Sequence, residues 1–376
     1  MRIILVGFGV VGQNLVKLLL SRTDDIYARY GMKPRIVATL DSKGAVVCPS
    51  GLNLQRLLEV KRVYGTVAAY DDRYEVGEQE KQYMDSTSLE VSSSDDDDYN
   101  NNNNNNRVEE IVRSVDAEVL VEATPTNLKD GEPGLSNIIT AIKHGKNIIT
   151  VNKGPLALAM PSLLELAEYN GVILRFSGTV GGGTPILEFA KHCLKGDRIL
   201  SFKGILNGTT NYILSMMEEE GFTFDEALND ARGKGYAEAD PSLDIDGLDA
   251  AAKLVIMANW IMDLKITMRD VRFKGIRDVS LNDILEAKKH GKVIKLIASC
   301  DESRRLSVEP MLIDKGEPLC VNGTLNAVTF KSEHSGELTV IGKGAGGMET
   351  ASAILRDLIE VRETMSIGMG VGLGRS

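Results

Sequence analysis

Five carboxylates and one lysine lie close together in the stretch "GYAEADPSLDIDGLDAAAK", residues 235–253. The charged residues are Glu238, Asp240, Asp244, Asp246, Asp249 and Lys253. An ion pair between Asp249 and Lys253, four residues apart on one helix face, accounts for only two of these groups. The remaining like charges repel each other unless a cation lies among them. We interpret the cluster as a site that holds a substrate ammonium group beside a lysine able to exchange a proton.

A buried helix must position these groups. The apolar run "LVIMANWIM" follows directly, and "GLDAAAKLVIMANWIM" predicts one helix with Asp246 as its N-cap. Asp249 then lies in the first turn, where the helix dipole stabilises negative charge.

A glycine motif predicts that the cluster works beside a dinucleotide. Gly7-Phe8-Gly9-Val10-Val11-Gly12 lies between the apolar run "RIILVG" and a segment with helical periodicity. Gly7 permits a tight turn, Gly9 lets a pyrophosphate approach the backbone, and Gly12 lets helix and strand pack closely. The free N–H groups at the helix start would face the phosphates.

The residue that contacts the adenosine ribose decides between NAD and NADP. Asp41 ends the second predicted strand, where a carboxylate would accept hydrogen bonds from the ribose. Lys43 would instead attract a 2′-phosphate, and residues 41–44 are equally compatible with a plain polar turn. Both cofactors therefore stay open.

Further loops follow predicted strands and would line the same crevice. In "EATPTN" Thr124 would contact the nicotinamide ribose, and in "TVNKGPLA" Lys153 would place a positive charge near cofactor and substrate. A lysine in such a turn is also often a solvated surface charge. The uncharged turns "GTVGGGTPI" and "ILNGTTNYI" would either offer carbonyl oxygens to a cation or pack closely, and their composition favours packing.

Composition excludes several classes of protein. The chain has 376 residues, and a net charge of −10 argues against nucleic acid as the main partner. Four cysteines without a CxxC pair and four scattered histidines argue against a zinc site or a disulfide scaffold. The N-terminal apolar run is too short for a signal peptide, and no run reaches the ~20 residues of a membrane span. We expect a cytoplasmic protein that does not bind membranes.

Strands alternating with helices predict an α/β fold with a Rossmann-type doubly wound parallel sheet. We place this dinucleotide-binding domain at residues 1–154, followed by an α+β catalytic and dimerisation domain with a mixed sheet at 155–335. Residues 336–376 form a glycine loop and a helix that returns to the first domain. Residues 75–106 are polar, acidic and end in seven asparagines, which predicts a disordered surface insertion.

Over nearly its whole length the chain resembles the homoserine dehydrogenase family. The resemblance is carried, in the family's order, by "GFGVVGQ", "NKGPLA", "GTVGGGTPI", "GILNGTTNYIL", "GYAEADPSLDIDGLDAAAKL" and "GKGAGGMETASAILRDL". It implies NAD(P)-dependent interconversion of L-aspartate 4-semialdehyde and L-homoserine, a step of threonine, methionine and isoleucine biosynthesis. It also implies a monofunctional homodimer, or a tetramer, without a C-terminal regulatory domain.

The resemblance assigns roles to individual residues. Glu238 and Asp249 would hold the amino-acid substrate, Asp244 would shape that pocket, Lys253 would exchange the proton, and Lys153 is the second catalytic candidate. To the contacts already predicted from the glycine motif and the second strand, Gly7, Phe8, Gly9, Gly12 and Asp41, it adds the cofactor contacts Val10, Val11, Thr124, Thr150, Asn152, Lys153, Gly235 and Gly344. Main-chain oxygens of Ser177, Val180, Gly182 and Thr184 would hold a structural sodium ion.

Two alternative functions remain in view. Aspartate semialdehyde dehydrogenase chemistry needs a nucleophilic cysteine with a histidine partner. Cys193 follows His192, but adjacent helical residues point to different faces. A non-catalytic redox sensor that binds NAD(H) would not need the cluster of carboxylates and lysine. Turnover with homoserine separates these alternatives.

Overall fold

The computed structural model describes residues 1–71 and 100–372, and these contain two sheets of six strands each. The first half contains β1 (Arg2–Val6), α1 (Val10–Tyr30), β2 (Arg35–Asp41), β3 (Gly44–Val47), α2 (Leu54–Tyr64), α3 (Asn100–Ser114), β4 (Val119–Glu122), α4 (Gly134–Lys143), β5 (Asn147–Thr150), α5 (Lys153–Tyr169) and β6 (Leu174–Arg175). The second half contains α6 (Ile186–Glu188), β7 (Ile199–Ile205), α7 (Gly208–Glu219), α8 (Phe224–Gly233), α9 (Ser242–Ile245), α10 (Leu248–Met262), β8 (Arg272–Phe273), α11 (Leu281–Lys289), β9 (Lys292–Cys300), β10 (Leu306–Asp314), β11 (Leu325–Ser332), β12 (Gly336–Lys343) and α12 (Gly347–Gly372).

Five parallel strands and one antiparallel edge strand, β3, form the first sheet in the order β3-β2-β1-β4-β5-β6. The residues of β1 alternate between two cores: Ile4 and Val6 pack on one face, Ile3 and Leu5 on the other. This confirms the predicted doubly wound sheet. The strand order reverses between β1 and β4, and in such sheets ligands bind beyond the carboxyl ends of the strands at that point.

The second sheet is mixed, as predicted, with the order β12-β11-β7-β9-β10-β8. Its pairs are antiparallel except for the parallel pair of β8 and β10. Helix α10 is buried along most of its length, from Ala250 to Asn259, because its apolar residues surround the helix. It packs against α5 of the first half and so brings the two halves of the site together.

The C-terminal helix α12 packs against α1 and β5 of the first half. Ile354 and Leu358 of α12 pack in one core with Leu15 and Leu19 of α1. The domain boundaries at residues 154 and 335 stay predictions. Neither α12 nor any other helix of the described residues is both long and apolar enough to cross a membrane.

Most of the predicted insertion at residues 75–106 lies outside the described residues. The expected disorder is wrong for residues 100–106, because helix α3 begins at Asn100. Val108, Ile111 and Val112 are buried at helical spacing in the core. Once such a turn is anchored, extending the helix toward its N-terminus adds one hydrogen bond per residue.

Candidate active site

A cleft of about 1450 Å³ lies beyond the carboxyl ends of β1 and β4 and extends to helix α10. Of the residues with a role predicted from the sequence, its walls contain Gly7, Phe8, Gly9, Val10, Val11, Asp41, Thr124, Lys153, Gly182, Gly235, Glu238, Asp244, Asp249, Lys253 and Gly344. The predicted dinucleotide contacts and the cluster of carboxylates and lysine therefore share one cavity. Gly12, Thr150, Asn152, Ser177, Val180 and Thr184 do not line it.

The glycine motif forms the turn between β1 and α1. Gly7 has φ +100°, and a Cβ there would lie 2.4 Å from the Ala123 carbonyl oxygen. A Cβ on Gly12 would lie 2.4 Å from the Gly7 oxygen, so both glycines permit close backbone packing. Gly9 is different: a Cβ there would have no neighbour within 4 Å. Protein packing does not require that glycine, whereas a pyrophosphate at the start of α1 would.

Asp41 lies at the far end of the cleft, but its carboxylate is already engaged by the protein. Its Oδ1 accepts from the N–H groups of Lys43 and Gly44 and from the Thr66 hydroxyl. Its Oδ2 accepts from Lys61 Nζ at 2.7 Å and from the Val67 N–H at 2.9 Å. Burial opposes its ionisation, yet these donors hold the pKa of Asp41 below its usual range. Lys61 lines the cleft as well.

Asp249 joins the two lysines predicted to be catalytic. Its Oδ2 lies 2.8 Å from Lys253 Nζ, and its Oδ1 lies 3.4 Å from Lys153 Nζ. Lys253 also donates to the Leu206 carbonyl oxygen at 2.7 Å. Burial would raise the pKa of Asp249, but the two ammonium groups hold it well below its usual range.

Asn207 is a site residue that sequence reasoning missed. Its Nδ2 donates to Asp244 Oδ1 at 2.6 Å and to Asp249 Oδ2 at 2.9 Å, while its Oδ1 caps helix α7. Burial and the Asp249 charge raise the pKa of Asp244. The composition of the turn "ILNGTTNYI" favours packing, and Gly208 supports this: a Cβ there would lie 2.8 Å from the Thr324 oxygen. The amide between two carboxylates is visible only in three dimensions.

The five carboxylates separate into two groups. Glu238, Asp244 and Asp249 line the cleft, and Glu238 is exposed to it. Asp240 instead accepts hydrogen bonds from the main chain and hydroxyl of Ser242. Asp246 pairs with Arg277 on the outer surface. The prediction that Asp246 caps α10 is wrong, because Gly247 at φ +85° is the N-cap and turns the chain away from α9.

The residues at and just beyond the carboxyl ends of β4 and β5 form a layer beneath the cleft. Thr150 and Asn152 are buried, whereas Thr124 reaches the cleft surface. Asn152 caps helix α5 by accepting from the Gly154 N–H at 3.0 Å, and Lys153 is the first residue of that helix. Thr150 and Asn152 therefore lie beneath the loops that reach the cleft, and Asn152 donates to Thr124 and to the Pro125 carbonyl.

The predicted sodium ligands lie in one buried segment between β6 and α6. Ser177, Val180 and Thr184 are nearly inaccessible, and Gly182 turns at φ +54°. The Ser177 N–H donates to Asp357 Oδ2 at 3.0 Å. The other oxygen of Asp357 is buried without a hydrogen-bond partner, and burial raises its pKa to about 7. A carboxylate so placed favours a positive charge nearby, and carbonyl oxygens are the ligands of hard cations.

The rival cysteine mechanism lacks its geometry. Cys193 is exposed on the helical turn that follows α6. His192 Nε2 lies 2.8 Å from Glu188 Oε2, so the imidazole ring pairs with a carboxylate. The arrangement in the cleft instead combines a dinucleotide-type loop with two ammonium groups, which favours proton exchange at an oxygen next to a hydride transfer.

Comparisons with known proteins agree with this chemistry. The family model described as homoserine dehydrogenase matches residues 185–359. The model described as glutamate/leucine/phenylalanine/valine dehydrogenase matches residues 1–123. The second match covers β1, the glycine motif and β4, which is the dinucleotide-type half of the chain.

Individual relatives match over nearly the full length. The homoserine dehydrogenase of Methanocaldococcus jannaschii is 42% identical over 361 residues, 96% of this chain and 98% of the relative. The NAD(+)-dependent homoserine dehydrogenase of Pseudomonas canavaninivorans is 37% identical over 96% of both chains. The structure of a hyperthermophilic archaeal homoserine dehydrogenase in complex with NADPH superposes with a TM-score of 0.77 at 26% identity, covering 96% of this chain and 98% of that chain.

Proposed function

The chain belongs to the homoserine dehydrogenase family, and from this premise we propose how its cleft interconverts L-aspartate 4-semialdehyde and L-homoserine with NAD(P)(H). The observation that carries the proposal is the placement of Lys153 and Lys253 on either side of Asp249 in the wall of a dinucleotide-type cleft. This reaction is a step of threonine, methionine and isoleucine biosynthesis.

The proton step is assigned to Lys253. Its ammonium has three N–H donors, of which two are used by Asp249 and by the Leu206 carbonyl. The third is left for the substrate oxygen, where negative charge develops as the aldehyde is reduced. When bound, the nicotinamide supplies or accepts the hydride. Lys153 adds a second positive charge near the same oxygen.

The carboxylates hold the amino-acid part of the substrate. Glu238 is exposed in the cleft and forms no ion pair among the described residues, so it is free to contact the substrate ammonium. Asp244 lies behind it through Asn207. Asp249 contacts both lysines. We therefore propose that it positions Lys153 and Lys253 and does not itself bind the substrate.

The test is the initial rate of NADP⁺ and, separately, NAD⁺ reduction with L-homoserine. Turnover that requires homoserine and is not supported by simple alcohols is expected, because the carboxylates select an ammonium group. Tight NADPH binding without turnover would contradict the proposal and favour a redox sensor. Phosphate-dependent oxidation of aspartate semialdehyde, lost on alkylation of Cys193, would favour the cysteine mechanism.

We propose that Lys61 gives the cleft a preference for NADP(H). Both carboxylate oxygens of Asp41 already accept hydrogen bonds from the protein, so Asp41 lacks a free acceptor for the ribose hydroxyls. Lys61 lies beside it and lines the cleft. A lysine there suits a 2′-phosphate, and a hydrogen bond to a charged group contributes about 1.5–3 kcal/mol.

Replacing Lys61 by methionine is expected to raise KM for NADP⁺ roughly 10-fold or more and to change KM for NAD⁺ little. Steady-state kinetics with both cofactors measures this. Lys43→Met is the matched control, because Lys43 also adjoins Asp41, through its main-chain N–H, but does not line the cleft. Equal losses with both cofactors in Lys61→Met would show that Lys61 only supports Asp41.

We further propose that the carbonyl oxygens of Ser177, Val180, Gly182 and Thr184 hold a structural sodium ion. The proposal rests on their common buried segment and on the unpartnered Asp357 oxygen beside it. The Tm is expected to be roughly 2 °C higher in sodium chloride than in choline chloride at equal ionic strength. The same Tm in both salts would contradict it, whatever the activity.

A homodimer and a cytoplasmic location are proposals as well. The four cysteines are all free, which suits a reducing compartment. Sedimentation velocity would report the oligomeric state, and a monomer at micromolar concentration would contradict the dimer.

A further inference from the structure

Glu122 is a fully buried carboxylate that the proposed reaction does not use. It ends strand β4, whose other residues, Val119 to Val121, are apolar. Its Oε1 accepts from the N–H of Thr124 at 3.0 Å and from the hydroxyl of the same residue. Its Oε2 accepts from the Thr150 hydroxyl at 3.1 Å. A buried carboxylate is costly unless its partners compensate it, and in the described part of the chain no cation pairs with this one.

The carboxylate fixes the direction of two hydroxyl groups. Thr124 Oγ1 donates to Glu122 and therefore accepts from Asn152 Nδ2, at 3.2 Å. Thr150 Oγ1 likewise donates to Glu122 and accepts from the Asn152 main-chain N–H, at 3.1 Å. Both hydroxyls thus present an acceptor to Asn152 as long as Glu122 is ionised.

Asn152 connects the two oriented hydroxyl groups to the loops that line the cleft. Its Nδ2 also donates to the Pro125 carbonyl at 3.1 Å, and its Oδ1 accepts from the Gly154 N–H at the start of α5. Lys153 lies between these anchors. The loop is bounded on its other side by the glycine motif, where a Cβ on Gly7 would lie 2.4 Å from the Ala123 oxygen.

We infer that Glu122 is a positioning residue for the reaction. Through Thr124, Thr150 and Asn152 it holds the loop after β4 and the first turn of α5, and so places Lys153 opposite Asp249. This inference rests on the proposed function, since it assigns Glu122 a role in that same site. A displacement of about 1 Å in such a shell can lower a rate 100-fold.

The surroundings of Glu122 predict a pH signature. Its register partners on β1 and β5 are Val6 and Thr150, which do not titrate in this range, and Lys153 is the charged residue of the adjoining helical turn. Burial raises the pKa of Glu122 to about 7 from an ordinary value of 4.5. Below that pH the carboxyl carries a proton that competes with the threonine hydroxyls. The hydroxyls of Thr124 and Thr150 are then no longer held as donors to Glu122 and acceptors from Asn152.

The same raised pKa allows an effect of Glu122 on activity to be distinguished from an effect on the stability of the fold. A folded-state pKa above the unfolded value means that folding favours the protonated form, so this contribution to stability is full at low pH and is lost as pH rises through about 7. Glu122→Gln cannot ionise and therefore avoids that loss. Its Tm at pH 8 is therefore expected to be no lower than that of the wild type while its activity falls.

The experiment measures kcat, KM and the NADPH Kd between pH 6 and 9 for wild type, Glu122→Gln and Glu118→Gln. Glu118 is the matched control, because it lies just before the opposite end of β4, where its carboxylate accepts from the Arg2 N–H at 2.5 Å. Glu122→Gln is expected to lower kcat roughly 10-fold at pH 8 with little change in KM for homoserine. It should also remove a limb of the pH profile near 7, whereas Glu118→Gln should do neither.

Two further variants test the route through the hydroxyl. Thr150→Ser should keep more of kcat than Thr150→Val, and Glu122→Gln with Thr150→Val should be no worse than Glu122→Gln alone. An unchanged kcat and pH profile in Glu122→Gln, or a Tm loss in parallel with the kcat loss, would overturn the inference. If the wild type does not oxidise homoserine, the proposed function fails. The NADPH Kd of Glu122→Gln then decides the positioning role: weakening supports it, and no change overturns it.

Discussion

Replacing Lys253 by methionine is expected to lower kcat for homoserine oxidation about 10³-fold while the Kd for NADPH stays within about 3-fold. Methionine keeps much of the length of the side chain but removes the ammonium that exchanges the proton and stabilises charge on the substrate oxygen. Each of these effects typically contributes 10²-fold or more. Lys153 remains beside Asp249 and supplies a residual positive charge, so the loss should not be complete. Stopped-flow single turnovers with bound NADP⁺ measure the chemical step directly.

The control for this variant is Lys274→Met. Lys274 also pairs with an aspartate four residues away, Asp278, but both side chains are largely exposed and lie outside the cleft. Its kcat should match the wild type. Lys153→Met should lose less than Lys253→Met, since Lys253 is the more buried and has a single donor left for the substrate. The reverse order would transfer the proton step to Lys153.

The fold was predictable where local patterns and tertiary packing agree. Residues 35–41, "RIVATLD", are mostly apolar between Arg35 and Asp41, and they form β2 over the same residues. The sequence "GTVGGGTPILEFAKHCL" was harder, because its short helix α6 passes into a π-helical turn at Phe189–Cys193. The asparagines at the start of α3, residues 100–106, have low intrinsic helix propensity, and the packing of later residues of the helix outweighs that preference.

The site was predictable in its charged residues and not in the neutral ones that connect them. A spacing of four residues places Asp249 and Lys253 on one helix face, and the structure has them 2.8 Å apart. No spacing relates Asn207 to Asp249 or Thr124 to Asn152, because these contacts join different elements. Asp41 is a charged residue for which the sequence was misleading. Its position at a strand end predicts a ribose contact, but its carboxylate accepts hydrogen bonds from Thr66 and Val67 of a later loop.

Replacing Asp249 by asparagine is expected to lower kcat/KM for homoserine about 10³-fold and to destabilise the fold. The two lysines lose the carboxylate that neutralises them, and they then repel each other in a poorly solvated place. Removing one partner of buried charges typically costs about 3–5 kcal/mol in the free energy of unfolding. The pKa of Asp249 is held well below its usual range, so its contribution to stability is present above about pH 4 and is lost as pH falls through its folded value. Urea unfolding at pH 7 and pH 3 should therefore show a gap between wild type and variant that narrows in acid.

Asp246→Asn separates this role from the general effect of removing a carboxylate near α10. Asp246 lies three residues earlier and also pairs with a cation, Arg277, but this pair is half exposed and outside the cleft. Because solvent screens exposed pairs, this variant should change the free energy of unfolding little and leave kcat unaltered. Glu238→Gln should instead raise KM for homoserine more than it lowers kcat, since Glu238 is assigned to the substrate ammonium rather than to the lysines. If Asp249→Asn behaved like Glu238→Gln and kept its stability at pH 7, Asp249 would bind substrate directly and the lysines would be placed by the Leu206 carbonyl and the start of α5 alone.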